Sequence, residues 1–486
     1  MLTLFCFGEF IDILMSSTLF SAIPSLERDM NMSQGESGWA FASYSATFSA
    51  FMLISGRVSD IYSARWTFIA GAFAIGVFAI GSAVTTTKVP FYVLRAFSGI
   101  GAGMNVPSAL TLIVEWFPEP EEQAMALALF GSGVGFGNVL GVIFGAEFIE
   151  HQTWKWILYF LGIFSLTVAA FALLIVPPSA PRIKPSWRAL DIAGVSTITT
   201  ALILFVYAVT TAPLDGWGEA KVIAPLIICA FLAAGFFIYE ARIPEQYAAL
   251  PPKIWKYENV PILICLAFVP FLWWSNVYFE ITPLFMGPYG WSPIGSSLRF
   301  LPIGLFSILI AVTTPELVKN WSPKWTIMFG LVLQFISSIL LVYADSGDKY
   351  WSRYFPSFML GTAGCMLVYT NASIALFASI PPEIAGVVGA VFNSVFQLGS
   401  ALGIPIISTI TQTINKQKIE KGEDPGYQGL ADGWWFMVAL VALSFIGTVF
   451  FYKVEDRTAV GWAGKKSEEE TVVGTPETRS SNKEIV

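Results

Sequence analysis

Fourteen apolar runs of about span length dominate the chain, at about 4–25, 38–56, 66–85, 90–114, 123–146, 155–176, 190–211, 222–240, 260–285, 294–313, 324–343, 353–377, 385–411 and 433–452. A helix needs about 20 apolar residues to cross the ~30 Å hydrocarbon layer of a bilayer. It also satisfies its backbone polar groups within the segment, which lipid demands. The chain is therefore expected to be an all-α integral membrane protein with 14 transmembrane spans. Composition supports this where a soluble reading fails. Only 13% of the residues are charged, against about 25% in soluble domains. No basic residue precedes Arg28, and no A-x-A site follows the first run. That run reads as a span rather than a cleavable signal peptide.

The same inventory excludes several functions. Cys6, Cys229, Cys265 and Cys365 lie in apolar segments without metal-like spacing, and His151 is the single histidine. No metal site, cofactor or histidine-dependent catalysis is expected. The chain carries no nucleophile motif, phosphate loop or large soluble domain, so it does not read as an enzyme. A net charge of -7 offers nucleic acid no basic surface.

The runs repeat. Ser63–Gly71 is SARWTFIAG and Ser322–Gly330 is SPKWTIMFG, an offset of 322 − 63 = 259 residues. Phe130–Gly141 is FGSGVGFGNVLG and Phe392–Gly403 is FNSVFQLGSALG, an offset of 392 − 130 = 262. Spans 3 and 5 thus match spans 11 and 13. A six-span unit occurs twice, with spans 7 and 8 inserted between the copies. Repeated halves characterise secondary transporters, whose substrate site lies where the halves meet. The expected organisation is a six-span bundle at 1–176, linkers and two inserted spans at 177–258, a second bundle at 259–453, and a polar, disordered cytoplasmic tail at 454–486. Lys453, Arg457, Lys465 and Lys466 follow the last span and place both termini in the cytoplasm by the positive-inside rule. The sequon at Asn31 then faces outside, that at Asn320 faces the cytoplasm, and that at Asn371 is buried in a span. Trp66, Trp154, Trp156, Trp291, Trp325 and Trp434 are expected at the membrane interfaces.

Gly133, Gly137, Gly141 and Gly145 recur every four residues in span 5. They form one bare helix face, which in lipid allows close backbone approach.

Gly56–Arg65, GRVSDIYSAR, resembles the signature loop of the major facilitator superfamily at Gly56, Asp60 and Arg65, and departs from it at Ile61, Ser63 and Ala64. Leu94–Leu110, LRAFSGIGAGMNVPSAL, is similar to the family's R-x-x-x-G-x-G-x-G pattern at Arg95, Gly99, Gly101 and Gly103. The stretches GWAFASYSATFSAFMLISGRVSDIY and ALFGSGVGFGNVLG resemble fungal fourteen-span drug:proton antiporters, and within them the aminotriazole-resistance and low-affinity ammonium or boron transporter group. The resemblance implies a major facilitator fold, two six-helix bundles plus two inserted helices. It implies that the loop at Gly56, Asp60 and Arg65 is a cytoplasmic latch. It also implies that the glycine ridge of span 5 faces the other half.

Ionisable residues inside spans are functional candidates by default. Arginine stays charged, so a proton carrier must be a carboxylate. Asp12 is the first candidate, about 12 Å into the layer at 1.5 Å per residue, with Glu9 and Glu280 behind it. Arg95 and Arg299 are candidates for anion contact or charge compensation. Asn105, Asn276, Asn371 and Gln397 are polar residues in apolar spans, and Trp273 and Trp274 sit mid-span; these are expected to line a substrate cavity.

The reading is an alternating-access transporter, a proton-coupled exporter of drugs, toxins or secondary metabolites. The alternative is a transporter of a small inorganic solute such as ammonium or boric acid. Expected partners are a small-molecule substrate, protons and the lipid of the plasma membrane, with the chain a monomer.

Overall fold

The computed structural model describes residues 1–117, 119–177, 191–244, 248, 250, 252–381 and 384–453. The expected tail at 454–486 and most of the linker after residue 177 lie outside them, as do the side chain of Asp60 and the surroundings of Gly133.

The described residues are helical throughout, with no strand. The first span is α1 (Leu2–Ser17), a 3₁₀ turn (Thr18–Ala22) and α2 (Ile23–Met30). The short α3 (Gln34–Ser37) follows, then α4 (Trp39–Ile61), α5 (Ala64–Val84), α6 (Lys88–Trp116), α7 (Pro120–His151) and α8 (Trp154–Ile175). The next pair is α9 (Ile192–Asp215) and α10 (Ala220–Glu240). The remainder is α11 (Val260–Leu266), α12 (Phe268–Met286), α13 (Pro293–Leu298), α14 (Leu301–Asn320), α15 (Pro323–Val342), α16 (Phe355–Ala378), α17 (Ala385–Glu420) and α18 (Gln428–Phe451). Among the described residues twelve helical segments are long and apolar enough to cross a membrane. Helices α4 and α7, of 23 and 32 residues, pack among them.

Local chemistry sets the ends. Asn31 closes α2 in the left-handed conformation, which asparagine tolerates. Ser33 and Glu36 form a capping box that opens α3. Proline opens α7, α13 and α15, where its missing N–H is not needed.

The repeat is visible in the packing. In the first half α5 lies on α6 and α8, and α1 lies on α7; in the second α15 lies on α16 and α18, and α12 lies on α17. Close glycine crossings correspond as well. A methyl group at Gly71 would sit 2.7 Å from the Gly101 carbonyl oxygen, and one at Gly330 would sit 2.9 Å from that of Gly364. The halves meet where α4 packs on α17 and α7 on α14. Ser49 and Ser394 each donate to the other's carbonyl there, at 2.8 and 3.0 Å. Helix α9 rests on α4 and α17, and α10 packs on α9 with 11% of its apolar stretch buried.

The glycine ridge of α7 corrects one expectation. Its described members face the first span of the same half, not the other half. Gly137 meets Phe10 and Ile13, Gly141 meets Ser17, and Gly145 meets the main chain of Thr18. The face toward the other half is instead ridged, with Val139 pressed on Gly304 of α14. Two of the tryptophans expected at the interfaces are covered by protein. Trp154 and Trp434 are buried, and the Trp154 indole donates to Asp29 at 3.1 Å.

Candidate functional site

The first half brings together Asp12, Asn105 and Arg95 around a residue that the sequence reading passed over, Tyr44. Asp12 is 2% exposed. Its Oδ2 accepts from Asn105 Nδ2 at 3.0 Å, while Oδ1 is buried with no protein donor. Gly8, one turn before on α1, makes room for the Asn105 amide, which would lie 3.1 Å from a methyl group there. The Tyr44 hydroxyl donates to the Asp12 carbonyl at 3.2 Å. The Arg95 guanidinium sits 4.5 Å over the Tyr44 ring, and its Nε donates to the Ala40 carbonyl at 3.1 Å. Both Nη atoms of Arg95 are buried with no protein acceptor. The arginine is therefore held by a ring and a carbonyl rather than by a carboxylate. Tyr44 supplies the ring and Ala40 the carbonyl; the tyrosine face attracts a cation while its hydroxyl bonds elsewhere. The hydroxyl-rich stretch FASYSATFS, Phe41–Ser49, was the signal for it, since so many polar groups in one span need partners.

Glu9 lies one turn before Asp12 and half-buried, with Oε2 lacking a hydrogen-bond partner. It is within electrostatic reach of Tyr369 on α16, in the other half. Tyr369 donates to Asn393 Oδ1 at 2.9 Å and packs on Phe396 at 4.6 Å, and Phe271 stacks on Phe396 at 4.7 Å. Phe271, Tyr369 and Phe396 thus form an aromatic cluster built from α12, α16 and α17. Gln397 is half-buried and next in sequence to Phe396 on α17.

Other candidates sit elsewhere. Glu280 is buried and accepts from Ser408 of α17 at 2.8 Å; its charged neighbour is Glu27 of α2. Asn276 and Asn371 donate to carbonyls of their own helices at 2.8 Å, and each keeps a buried Oδ1 without a partner. Trp273 is a core residue of the second bundle, fully buried on Gly361. Trp274 is 4% exposed. Arg299 stacks on Trp291 at the end of the bundle and donates to the Gly295 carbonyl, with no carboxylate within ion-pair distance among the described residues. It does not compensate Asp12.

Between the halves, above the Tyr44 cluster, an aromatic bridge crosses the seam. Phe20 stacks on Phe41 at 4.6 Å and on Tyr278 at 5.5 Å, and Phe41 meets Phe279 edge-on at 5.5 Å. Glu150 on α7 also accepts from the Ile294 N–H at 3.1 Å. At the opposite face Arg65 donates to the Leu173 carbonyl at 2.7 Å and lies over Trp66. A methyl group at Gly56 would touch only Pro107, at 3.9 Å. Arg57, not singled out from sequence, donates to the Ala248 carbonyl. No cluster of three metal-ligating side chains occurs among the described residues.

The comparisons agree with this architecture. The chain is 27% identical to the low affinity ammonium transporter of Saccharomyces cerevisiae, over 84% of this chain and 79% of that one. It is 27% identical to the puromycin resistance protein pur8 of Streptomyces alboniger, over 83% and 80%. Its fold is similar to the crystal structure of the POT family transporter PepTSo, with a TM-score of 0.67 and 13% identity, covering 93% of this chain and 97% of that one. Residues 5–404 match the family model, and the chain belongs to the Major Facilitator Superfamily.

Proposed function

We propose that the protein is a proton-coupled exporter of small organic molecules, in which Asp12 exchanges the coupling proton as the two halves rock. The observation that carries this is the buried Asp12 carboxylate. One of its oxygens is held by Asn105 and the other is left without a donor, beside an arginine that is not its ion-pair partner. A buried carboxylate without a fixed counter-ion is stable when protonated and must meet water or a cation to ionise. Alternating exposure supplies that water on one side at a time. The aromatic bridge and the Glu150 contact support a conformer closed toward the Trp291 face. The kinship with the puromycin resistance protein supports an organic substrate, as does the aromatic cluster around Tyr369.

The same proposal includes fourteen crossings, the twelve apolar segments plus α4 and α7. It divides the chain into bundles at 1–176 and 259–453 with an inserted pair between them, whose shallow burial supports a peripheral place. It sets both termini in the cytoplasm, the chain in the plasma membrane as a monomer, and Gly56, Asp60 and Arg65 in a cytoplasmic latch.

The kinship with an ammonium transporter favours a second reading, transport of a small inorganic solute. Sealed vesicles containing the purified protein separate the two. Uptake of puromycin and of methylammonium is measured with and without an imposed pH gradient, for the parent and for Asp12→Asn. The proposal expects pH-driven puromycin accumulation that Asp12→Asn abolishes while exchange down the substrate gradient persists. Accumulation by Asp12→Asn against the gradient would make Asp12 structural. Methylammonium alone as substrate would establish the second reading.

A further inference from the structure

A pocket lies at the Trp291 face of the second bundle, lined by no residue of the Asp12 cluster. It has a volume of about 520 Å³ and is lined by residues of two turns, including Trp291, Arg299, Asp348, Tyr350 and Trp351. Drug-sized sites fall in this range of volume. Arg299 is fixed within it at several points. Its Nη1 donates to the Gly295 carbonyl one turn back at 2.7 Å. Its guanidinium carbon lies 3.6 Å from the Trp291 ring centre and 5.7 Å from that of Tyr350. The Tyr350 hydroxyl donates to the Arg299 carbonyl at 2.8 Å. A π-helical turn, Tyr350–Tyr354, opens the segment leading into α16 and carries Tyr350 and Trp351. Such turns are rare and concentrate at functional sites. Gly347 lies against the Tyr289 and Trp291 rings, at 3.3 and 3.2 Å from a methyl group placed there.

The charges around Arg299 are unbalanced in an informative way. Lys349 is paired with Asp345 at 2.5 Å. Arg299 has no carboxylate within ion-pair distance among the described residues, and its contacts are the carbonyl and the two rings. A guanidinium presents five N–H donors in one plane. Stacking on Trp291 covers a face of that plane, Nη1 spends one N–H on Gly295, and the donors that remain along the edge suit a carboxylate. Trp351 is 74% exposed and offers a broad apolar ring at the mouth. Asp348 on the wall disfavours a second negative charge.

We infer that this pocket binds a flat organic monoanion, an aromatic carboxylate held by the edge of Arg299 with its ring against Trp351. The site is independent of the direction and coupling of transport. The aromatic contacts Trp291–Phe285, Phe285–Phe300, Phe300–Tyr278 and Tyr278–Phe20, at 4.6, 5.5, 5.1 and 5.5 Å, join it to the bridge between the halves.

The test uses the purified full chain in detergent and three probes of one shape: 1-naphthoate, 1-naphthylmethylammonium and 1-naphthalenemethanol. Affinity is read by isothermal titration. The expected order places 1-naphthoate first. Arg299→Gln should weaken it by about 10- to 100-fold, the range for losing a hydrogen bond to a charged group, while leaving the alcohol unchanged. Asp348→Asn should tighten the naphthoate, and Trp351→Ala should weaken all three probes. Asp12→Asn should leave naphthoate binding as in the parent. Equal affinity for the three probes, or parental naphthoate affinity in Arg299→Gln, would overturn the inference. Loss of binding in Asp12→Asn would also overturn it, by moving the probe to the Asp12 cluster. Should Arg299→Gln fail to fold, the exposed-residue variants Trp351→Ala and Asp348→Asn decide, and no change in either one refutes the site.

Discussion

The glycine ridge of α7 offers a graded test of why this helix carries glycine at all. A methyl group added at Gly145 would lie 2.1 Å from the Thr18 carbonyl oxygen and 2.9 Å from its carbonyl carbon. Both atoms are backbone in a 3₁₀ turn, so neither can rotate away. Helix α7 must withdraw by about 1 Å, and overpacking of this kind costs about 1–3 kcal/mol. The alanine returns at most about 1 kcal/mol through lower backbone entropy. Gly145→Ala should therefore destabilise on balance, by up to about 2 kcal/mol. At Gly137 the added methyl meets only the ends of Phe10 and Ile13, each at 3.2 Å. Those side chains can shift by a few tenths of an ångström, and Gly137→Ala should stay within about 0.5 kcal/mol of the parent. Gly141 lies between these limits. Its methyl would overlap Ser17 Oγ at 1.9 Å, with Ser17 Cβ at 2.8 Å. Removing the oxygen with Ser17→Ala should recover part of the loss, a coupling that a double-mutant cycle measures. The assay is reversible unfolding in mixed micelles with increasing denaturing detergent, read alongside vesicle transport. If Gly145→Ala is as stable as Gly137→Ala, the close contact with Thr18 is not what the glycine serves. If it keeps full stability but loses transport, the ridge works at the seam between the halves after all.

The remaining tests are shorter. Tyr44→Phe should lose about 1 kcal/mol with its hydroxyl and keep transport, whereas Tyr44→Leu strips the ring from a buried guanidinium and should be distinctly less stable in the same unfolding assay. Glu36 accepts from Lys88 at 2.5 Å and from the Ser33 N–H at 2.9 Å; partial burial pushes its carboxyl up, but Lys88 and Ser33 outweigh this and hold it below the ordinary range. Its stabilising contribution is thus present above the ordinary value of about 4.3 and is lost as pH falls through the lower folded value, so the gap in melting temperature between parent and Glu36→Gln should be constant near neutrality and close in acid. Asp60→Asn should impair vesicle transport with little change in the yield of folded protein, and full activity would reduce the loop to a topological marker. A cysteine placed at Asn31 should react with an impermeant thiol reagent from outside, while one at Asn320 should not; the reverse pattern would invert the chain in the membrane.

Most of the fold was legible because lipid leaves so few choices. A run of about twenty apolar residues becomes a helix irrespective of its neighbours, and two motifs at nearly constant offset disclosed the repeated halves. What the sequence could not supply was the direction each helix face takes. The four-residue glycine period announced a close contact in α7, but the period is equally served by any neighbour, and Thr18 of the first span turned out to be the contact rather than the second half. The interfacial tryptophans show the same limit. Trp66, Trp156 and Trp325 are exposed as a belt requires, but Trp154 and Trp434 are buried; the Trp154 N–H finds a partner in Asp29, while the Trp434 Nε1 is buried without one.

The two arginines show why the candidate site was only partly readable. From sequence both are intramembrane charges that need an anion, and Asp12 is the natural one to name. In the structure neither is paired with it. Arg95 is held by a carbonyl and by the Tyr44 face, with both Nη atoms lacking a protein acceptor, and Arg299 is held by a carbonyl and the Trp291 face. An aromatic ring lowers the energy of a buried cation without contributing a charge of its own. It therefore leaves the net charge of each site unfilled, whereas a carboxylate would have cancelled it. Neutralising Asp12 by a proton then costs Arg95 no ion-pair partner, so the carboxylate is free to change protonation while the arginine stays in place. That separation is what a proton-exchanging residue requires of its surroundings, and it depends on Tyr44, a residue whose type gives no hint of charge.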